Sequence, residues 1–206
     1  MGVIRRSKSV LGKRETLEGM ANRVPTGQYV TSKMPVMNIG IAPSISIFDW
    51  KLRVFGLVEQ EVEFSWDDFQ SLSKKGEEVD FHCVTQWSRQ NVGWEGVSAS
   101  DILDRAQPTS VARFVMLHCA DSYTTNVDLQ ALLAQDVLFA HKMDGQALHP
   151  NHGYPVRLVV PARYGWKSAK WVTGVELMAK DRPGFWELNG YHMRGDPWRE
   201  ERFSHC

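Results

Sequence analysis

Val79-Asp80-Phe81-His82-Cys83-Val84 alternates apolar and polar side chains, so an extended chain puts Val79, Phe81 and Cys83 on one face and Asp80 and His82 on the other. The strand is expected to end at Cys83 and to be followed by a polar loop carrying Arg89. Similar short segments recur on both sides. Upstream, Trp50-Lys51-Leu52-Arg53-Val54-Phe55 reads as a strand and Val62-Glu63-Phe64 resumes it after a turn. Downstream, residues 111–119, 137–142, 156–160 and 171–178 are strand segments, and Asp144-Gly145 is a turn signal behind the second of them. Helical stretches are short: Ser65 with Asp68 caps one running to Leu72, residues 100–106 form a second, and residues 128–134 a third. Strands outnumber helices and no regular β-α-β alternation appears. The expected fold class is therefore α+β, with a mixed or antiparallel β-sheet and short helices, rather than a doubly wound sheet.

The whole chain of 206 residues, with 24 Lys+Arg against 24 Asp+Glu and 43% hydrophobic residues, is long and apolar enough to bury roughly 70% of its unfolded surface. A net charge of zero argues against a dedicated nucleic-acid binder, which needs a basic surplus. Charge is nonetheless uneven: residues 1–33 hold seven Lys/Arg and two Glu, and residues 34–82 hold four basic and nine acidic side chains. This divides a basic N-terminal arm, residues 1–30, from a domain over 31–206. No apolar run is long enough to span a bilayer. Arg5 and Arg6 are followed by charge rather than by the apolar core of an export signal, so a cytoplasmic protein is expected. Cys83, Cys119 and Cys206 form no CxxC pair, which points to a reducing compartment. Eight Trp residues leave two readings open, a ring-rich core or an aromatic-walled pocket.

No GxGxxG, GxxxxGK[ST], HExxH or GxSxG motif occurs, which removes the usual nucleotide, zinc-hydrolase and serine-hydrolase anchors. Two clusters remain. Cys83, at a strand end with Arg89 nearby, is either a thiolate available to a metal or an electrophile, or a small buried hydrophobe. The stretch from His152 to Trp171 gathers Arg157, Arg163, Lys167, Ser168 and Lys170 among Tyr164, Trp166 and Trp171. It is either a phosphate-binding surface or solvated charge beside a hairpin.

Taken in order, the stretches Asp80-Phe-His-Cys-Val-Thr-Gln-Trp-Ser, Trp94-Glu-Gly-Val, Ser122-Tyr-Thr-Thr-Asn, Gly153-Tyr-Pro-Val-Arg-Leu-Val-Val-Pro, Tyr164-Gly-Trp-Lys-Ser-Ala-Lys-Trp and Gly190-Tyr-His-Met-Arg-Gly-Asp-Pro-Trp resemble the sulfite oxidase-like molybdopterin oxidoreductases. The resemblance is to the short, haem-free bacterial group with the molybdenum-cofactor domain alone, and it runs from about residue 30 to the C-terminus. It implies a sulfite oxidase-type molybdopterin-binding domain in which a pyranopterin is held by its phosphate and molybdenum is bound by the dithiolene and one protein cysteine. Cys83 stands where that cysteine stands. Arg157, Lys167, Ser168 and Lys170 fall where the family binds the pterin and its phosphate, the backbone around Ala169 belongs to the same loop as the last three, and His152 stands where some relatives have Asn. Cys119 falls where a relative has Thr, and it is not assigned as a ligand. The segment Thr31-Ser-Lys-Met-Pro-Val-Met lies where relatives lay backbone along the pterin.

The implied activity is two-electron oxygen-atom transfer on a small oxyanion or sulfoxide, with a separate electron-transfer partner and a monomeric enzyme. Arg89 is either the group that attracts an anionic substrate, with His82 and Trp87 nearby, or a structural partner of Asp80. The alternatives are a reductase of sulfoxides or other oxygenated substrates, and a non-catalytic molybdenum-cofactor-binding protein.

Overall fold

A computed structural model describes residues 23–205, and among these described residues the protein forms two β-sheets and four short α-helices. The alternation in 51–56 produces β2 (Lys51–Gly56), which pairs antiparallel with β3 (Val62–Ser65). At the end of β3, Ser65 and Asp68 close a reciprocal capping box on α1 (Trp66–Ser71). α2 (Ala99–Ala106) starts at Ser98, whose side chain accepts from the Asp101 N–H, and α3 (Leu129–Leu132) is capped in the same way by Asp128. β11 (Val172–Met178) lies parallel to β2 and antiparallel to β6 (Phe114–Cys119), which pairs with β7 (Thr124–Asp128). The resulting five-stranded sheet has the order β3-β2-β11-β6-β7.

The second sheet forms around β5 (Trp87–Ser98), a 12-residue strand antiparallel to both β4 (Lys75–His82) and β8 (Leu138–Met143). β8 carries β9 (Gln146–Ala147) across the expected Asp144-Gly145 turn and also pairs with β10 (Arg157–Val159). β1 (Tyr29–Val30) adds to β5 in parallel. Parallel and antiparallel pairs in each sheet make the fold the mixed α+β type expected. α4 (Phe185–Leu188) and a short 3-10 turn, Pro197–Arg199, order the C-terminal region.

One expectation is corrected here, because the residues read as a polar loop after Cys83 are the first half of β5. A four-residue turn, Cys83 to Gln86, is all that separates it from β4; the Cys83 N–H donates to the Trp87 carbonyl at 2.8 Å and the Gln86 N–H to the Cys83 carbonyl at 3.1 Å. Of the basic arm, residues 1–22 lie outside the described residues. Within the described part, Arg23 Nε donates to Asp80 at 2.9 Å.

The main core lies against the five-stranded sheet, with Leu52, Val54, Phe69, Ile102, Leu117, Phe139, Leu158 and Val175 fully buried. A smaller cluster holds Phe81, Cys83, Trp87, Trp94 and Val159. Cys83 belongs to this second cluster, and that places it beside a cleft.

Candidate active site

Cys83 lies on a partly open cleft whose walls come from the Cys83 turn, the 152–171 region, the segment 34–39 and the C-terminal aromatics. Its thiol is buried and 3.1 Å from Thr85 Oγ1. Burial raises its pKa, against the lowering effects of the Thr85 contacts and the Arg202 charge. Met34, Met37, Asn38 and Ile39 contribute from a strap laid over one side. Trp87, Trp166, Trp171 and Trp186 line the cleft while Trp50 belongs to the main core, so both readings of the tryptophans hold in different places.

Opposite the thiol, β10 and the returning residues 168–172 lie side by side, joined by Leu158 N–H to Ala169 carbonyl at 2.8 Å and Val172 N–H to Val156 carbonyl at 3.1 Å. Ser168 Oγ accepts from the Val160 N–H at 3.0 Å. Arg157 and Lys170 thereby reach the same cleft. Gly153 makes this approach possible: its φ of +109° is left-handed, and a Cβ there would lie 2.9 Å from Arg157 Cβ and 3.2 Å from Lys170 Cβ.

Arg157 is 3% exposed, donates to the His152 and Ser168 carbonyls at 3.1 and 3.0 Å, and leaves its Nε without a partner. Burial pushes its pKa down to about 9. Lys170 Nζ contacts the Met37 carbonyl at 2.8 Å, the Asn151 carbonyl at 3.1 Å and Asn38 Oδ1. Burial first and Arg157 second push it down to about 7. His152 is pushed to about 4 by burial, then by Arg157 and Lys170. Among the described residues no carboxylate forms an ion pair with Arg157 or Lys170. Such mutually unfavourable cations, one with a buried unsatisfied donor, are what an absent anion would satisfy.

Not every expected residue arrives. Lys167 turns away from the cleft: its ammonium is held by Glu187 Oε1 at 2.5 Å, Asn126 Oδ1 at 2.6 Å and the Asn126 and Met193 carbonyls. The ion pair is buried, at 1% and 0% side-chain exposure. Arg89, in mid-strand, pairs with Asp144 rather than with Asp80 or the cleft. Cys119 is buried in the main core, its thiol raised by burial and by Asp121, and it does not line the cleft. His152, Arg157, Ser168, Ala169 and Lys170 do line it. Asn38, Asp121, Tyr123 and Tyr191 line it too, and no motif named them beforehand as site residues.

Among the described residues no group of three or more His, Cys, Asp and Glu is gathered to hold a metal. A metal at Cys83 therefore needs donors from a bound group, and an anionic cofactor bringing its own sulfur ligands meets that need along with the unpaired cations. The arrangement suits the molybdenum cofactor that the sequence resemblance implies.

Comparison with known proteins agrees: residues 39–186 match the oxidoreductase molybdopterin binding domain, and the chain belongs to that family. It is a molybdenum-dependent oxidoreductase domain whose cofactor is Mo-molybdopterin. It is 43% identical to the uncharacterized oxidoreductase YuiH of Bacillus subtilis, over 89% of this chain and 93% of that protein. It is 28% identical to the protein-methionine-sulfoxide reductase catalytic subunit MsrP of Campylobacter jejuni, over 72% of this chain and 56% of that one. Among solved structures it resembles the sulfane dehydrogenase SoxCD from Paracoccus pantotrophus, with a TM-score of 0.62 and 25% identity over 68% of this chain and 40% of that one. The chain thus spans nearly all of YuiH but about half of MsrP and two fifths of the SoxCD chain. Among the described residues no helix is long and apolar enough to cross a membrane.

Proposed function

We propose that this enzyme catalyses two-electron oxygen-atom transfer on a small oxyanion or sulfoxide, with Cys83 as the protein ligand of molybdenum. The observation that carries the reading is the buried Cys83 thiol on the same cleft as Arg157 and Lys170, two cations that form no ion pair among the described residues. Arg157, Lys170, Ser168 and the Ala169 backbone would hold the pterin and its phosphate, with His152, neutral near pH 7, beside them. Mo-molybdopterin supplies the redox and oxygen-atom chemistry. The chain's residues orient it, present a soft thiolate, and wall the cleft with aromatic rings that exclude water.

Sulfoxide reduction is the direction favoured within this reading. Arg89, the cation expected to draw an anionic substrate, is neutralised by Asp144, and the walls near Cys83 are Trp87, Trp166 and Tyr191, surfaces suited to a thioether. Similarity to MsrP, a methionine-sulfoxide reductase by name, supports the same direction. Two electrons enter or leave per turnover, so the cycle closes only with a separate electron carrier. A monomer in the cytoplasm completes the proposal, and the free thiols Cys83 and Cys119 suit a reducing compartment.

The test is metal analysis of protein from a molybdenum-replete host, followed by sulfoxide assays with an artificial donor and sulfite assays with an artificial acceptor. Stoichiometric molybdenum with sulfoxide turnover is expected. Full molybdenum with turnover of neither substrate would leave a cofactor-binding protein without catalysis.

A further inference from the structure

Arg202 reaches from the C-terminal region to the turn that carries Cys83. Its Nη1 donates to the Val84 carbonyl at 2.5 Å, its guanidinium carbon lies 5.1 Å from the centroid of the Tyr164 ring, and Nη2 is 3.5 Å from the Thr26 carbonyl. All three partners are neutral. Arg23, Arg53, Arg89, Arg163, Arg182 and Arg194 each pair with a carboxylate, whereas Arg202 forms no ion pair among the described residues. From the other end of the domain, Gln28 Nε2 donates to the Cys83 carbonyl at 3.0 Å. The turn is therefore clamped from two sides, and only one clamp carries charge. That charge sits on the carbonyl of the residue next to Cys83.

We propose that Arg202 is a positioning residue for the metal site: it fixes the Val84 carbonyl so that the turn presents Cys83 to the cleft, and it keeps a positive charge, with no ion-pair partner among the described residues, beside the ligand's turn, raising the reduction potential of a metal bound there. This rests on Cys83 being the ligand. Reduction adds negative charge to the centre, so a fixed neighbouring cation stabilises the reduced state more than the oxidised one.

The experiment is a redox titration of the molybdenum holoenzyme followed by its paramagnetic intermediate, with metal content and thermal unfolding measured alongside. Arg202→Gln retains N–H donors for Val84 and loses the charge, so the midpoint should move to more negative values. Arg202→Lys retains the charge and should stay near wild type. Thr26→Glu, at an exposed position next to Arg202 Nη2, brings a compensating carboxylate; it should move the midpoint in the same direction by less, and it serves if the Gln variant does not fold. Unchanged midpoints in the Gln and Glu variants would overturn the proposal. Equal shifts in Gln and Lys would do so as well, since geometry rather than charge would then be responsible. A Cys83→Ser holoenzyme with wild-type potential and spectrum would instead overturn the ligand assignment, and the role of Arg202 with it.

Discussion

Lys167 and Lys170 occupy one loop, three residues apart, and do opposite things. Lys167 is sealed against Glu187, with Asn126 and Met193 completing its hydrogen bonds, so its charge is compensated inside the protein. Lys170 faces the cleft, touches only neutral oxygens, and shares its surroundings with Arg157. Cys119 and Cys83 divide in the same way, one enclosed in the main core and the other on the cleft wall. Residue type and neighbourhood in sequence do not separate these pairs. Countercharge separates the lysines and placement the cysteines: the Glu187 pair suits Lys167 to a role in the fold, and the lack of an ion pair suits Lys170 to the proposed role in holding the cofactor.

The largest effect expected is on Cys83. Cys83→Ser should retain pterin, alter the visible charge-transfer spectrum and abolish turnover, while Cys119→Ser should change neither. Identical behaviour of the two variants, read by absorption and steady-state rates, would erase the distinction between the two thiols.

Next is Lys167→Met, which strands Glu187 in the interior. Loss of one partner of a buried pair should cost about 3–5 kcal/mol in urea unfolding. A variant as stable as wild type but deficient in cofactor would move Lys167 to the ligand-seeking side.

Lys170→Ala should behave in the opposite sense, losing roughly tenfold or more in cofactor occupancy, the worth of a charge-assisted hydrogen bond. The cofactor-free protein should not unfold. The sign of a pH effect follows from its pKa of about 7, well below the ordinary 10.5. An anion bound beside Lys170 favours its charged form and raises that pKa, so binding takes up a proton between pH 7 and 10.5 and weakens as pH rises through that window. Calorimetry of a phosphate monoester in buffers of different ionisation enthalpy at pH 8 should show the uptake in wild type and not in Lys170→Met. Equal uptake in both would remove Lys170 from the anion site.

The smallest effect is assigned to Arg89→Gln. Its pair with Asp144 lies on a partly exposed strand, so the stability change should stay within about 1 kcal/mol, and sulfite and sulfoxide kcat/KM should change alike. A selective loss on sulfite would restore Arg89 as a substrate-attracting residue.

Local rules sufficed for much of the architecture. β2 and β3 follow from alternation, α1 from the Ser65–Asp68 capping box, and the β8–β9 hairpin from Asp144-Gly145, because each depends on residues adjacent in the chain. β5 escaped because Trp87-Ser-Arg-Gln-Asn-Val-Gly-Trp-Glu-Gly-Val-Ser lacks regular alternation. Its polar side chains find partners far along the chain, as Arg89 does with Asp144 in the β8–β9 turn, and Gly96 is required where a Cβ would stand 2.1 Å from the Phe139 carbonyl. Without that strand Arg89 falls in a loop, which leaves both a substrate anion and Asp80 open as its partner and does not point to Asp144. β7 escaped for a related reason: Thr125 and Asn126 are buried and polar, satisfied by Glu187 and Asp181 far along the chain.

Cys83 and the motif around it, the order of the cationic loop, and the resemblance these carry are properties of the amino-acid sequence itself, since a ligand type and a spacing are written in adjacent residues. Which of two lysines meets the cleft was decided only in three dimensions. A side chain's role there depends on desolvation and on the countercharge beside it, and Glu187, Asp144 and Arg202 arrive from segments 20, 55 and 118 residues away.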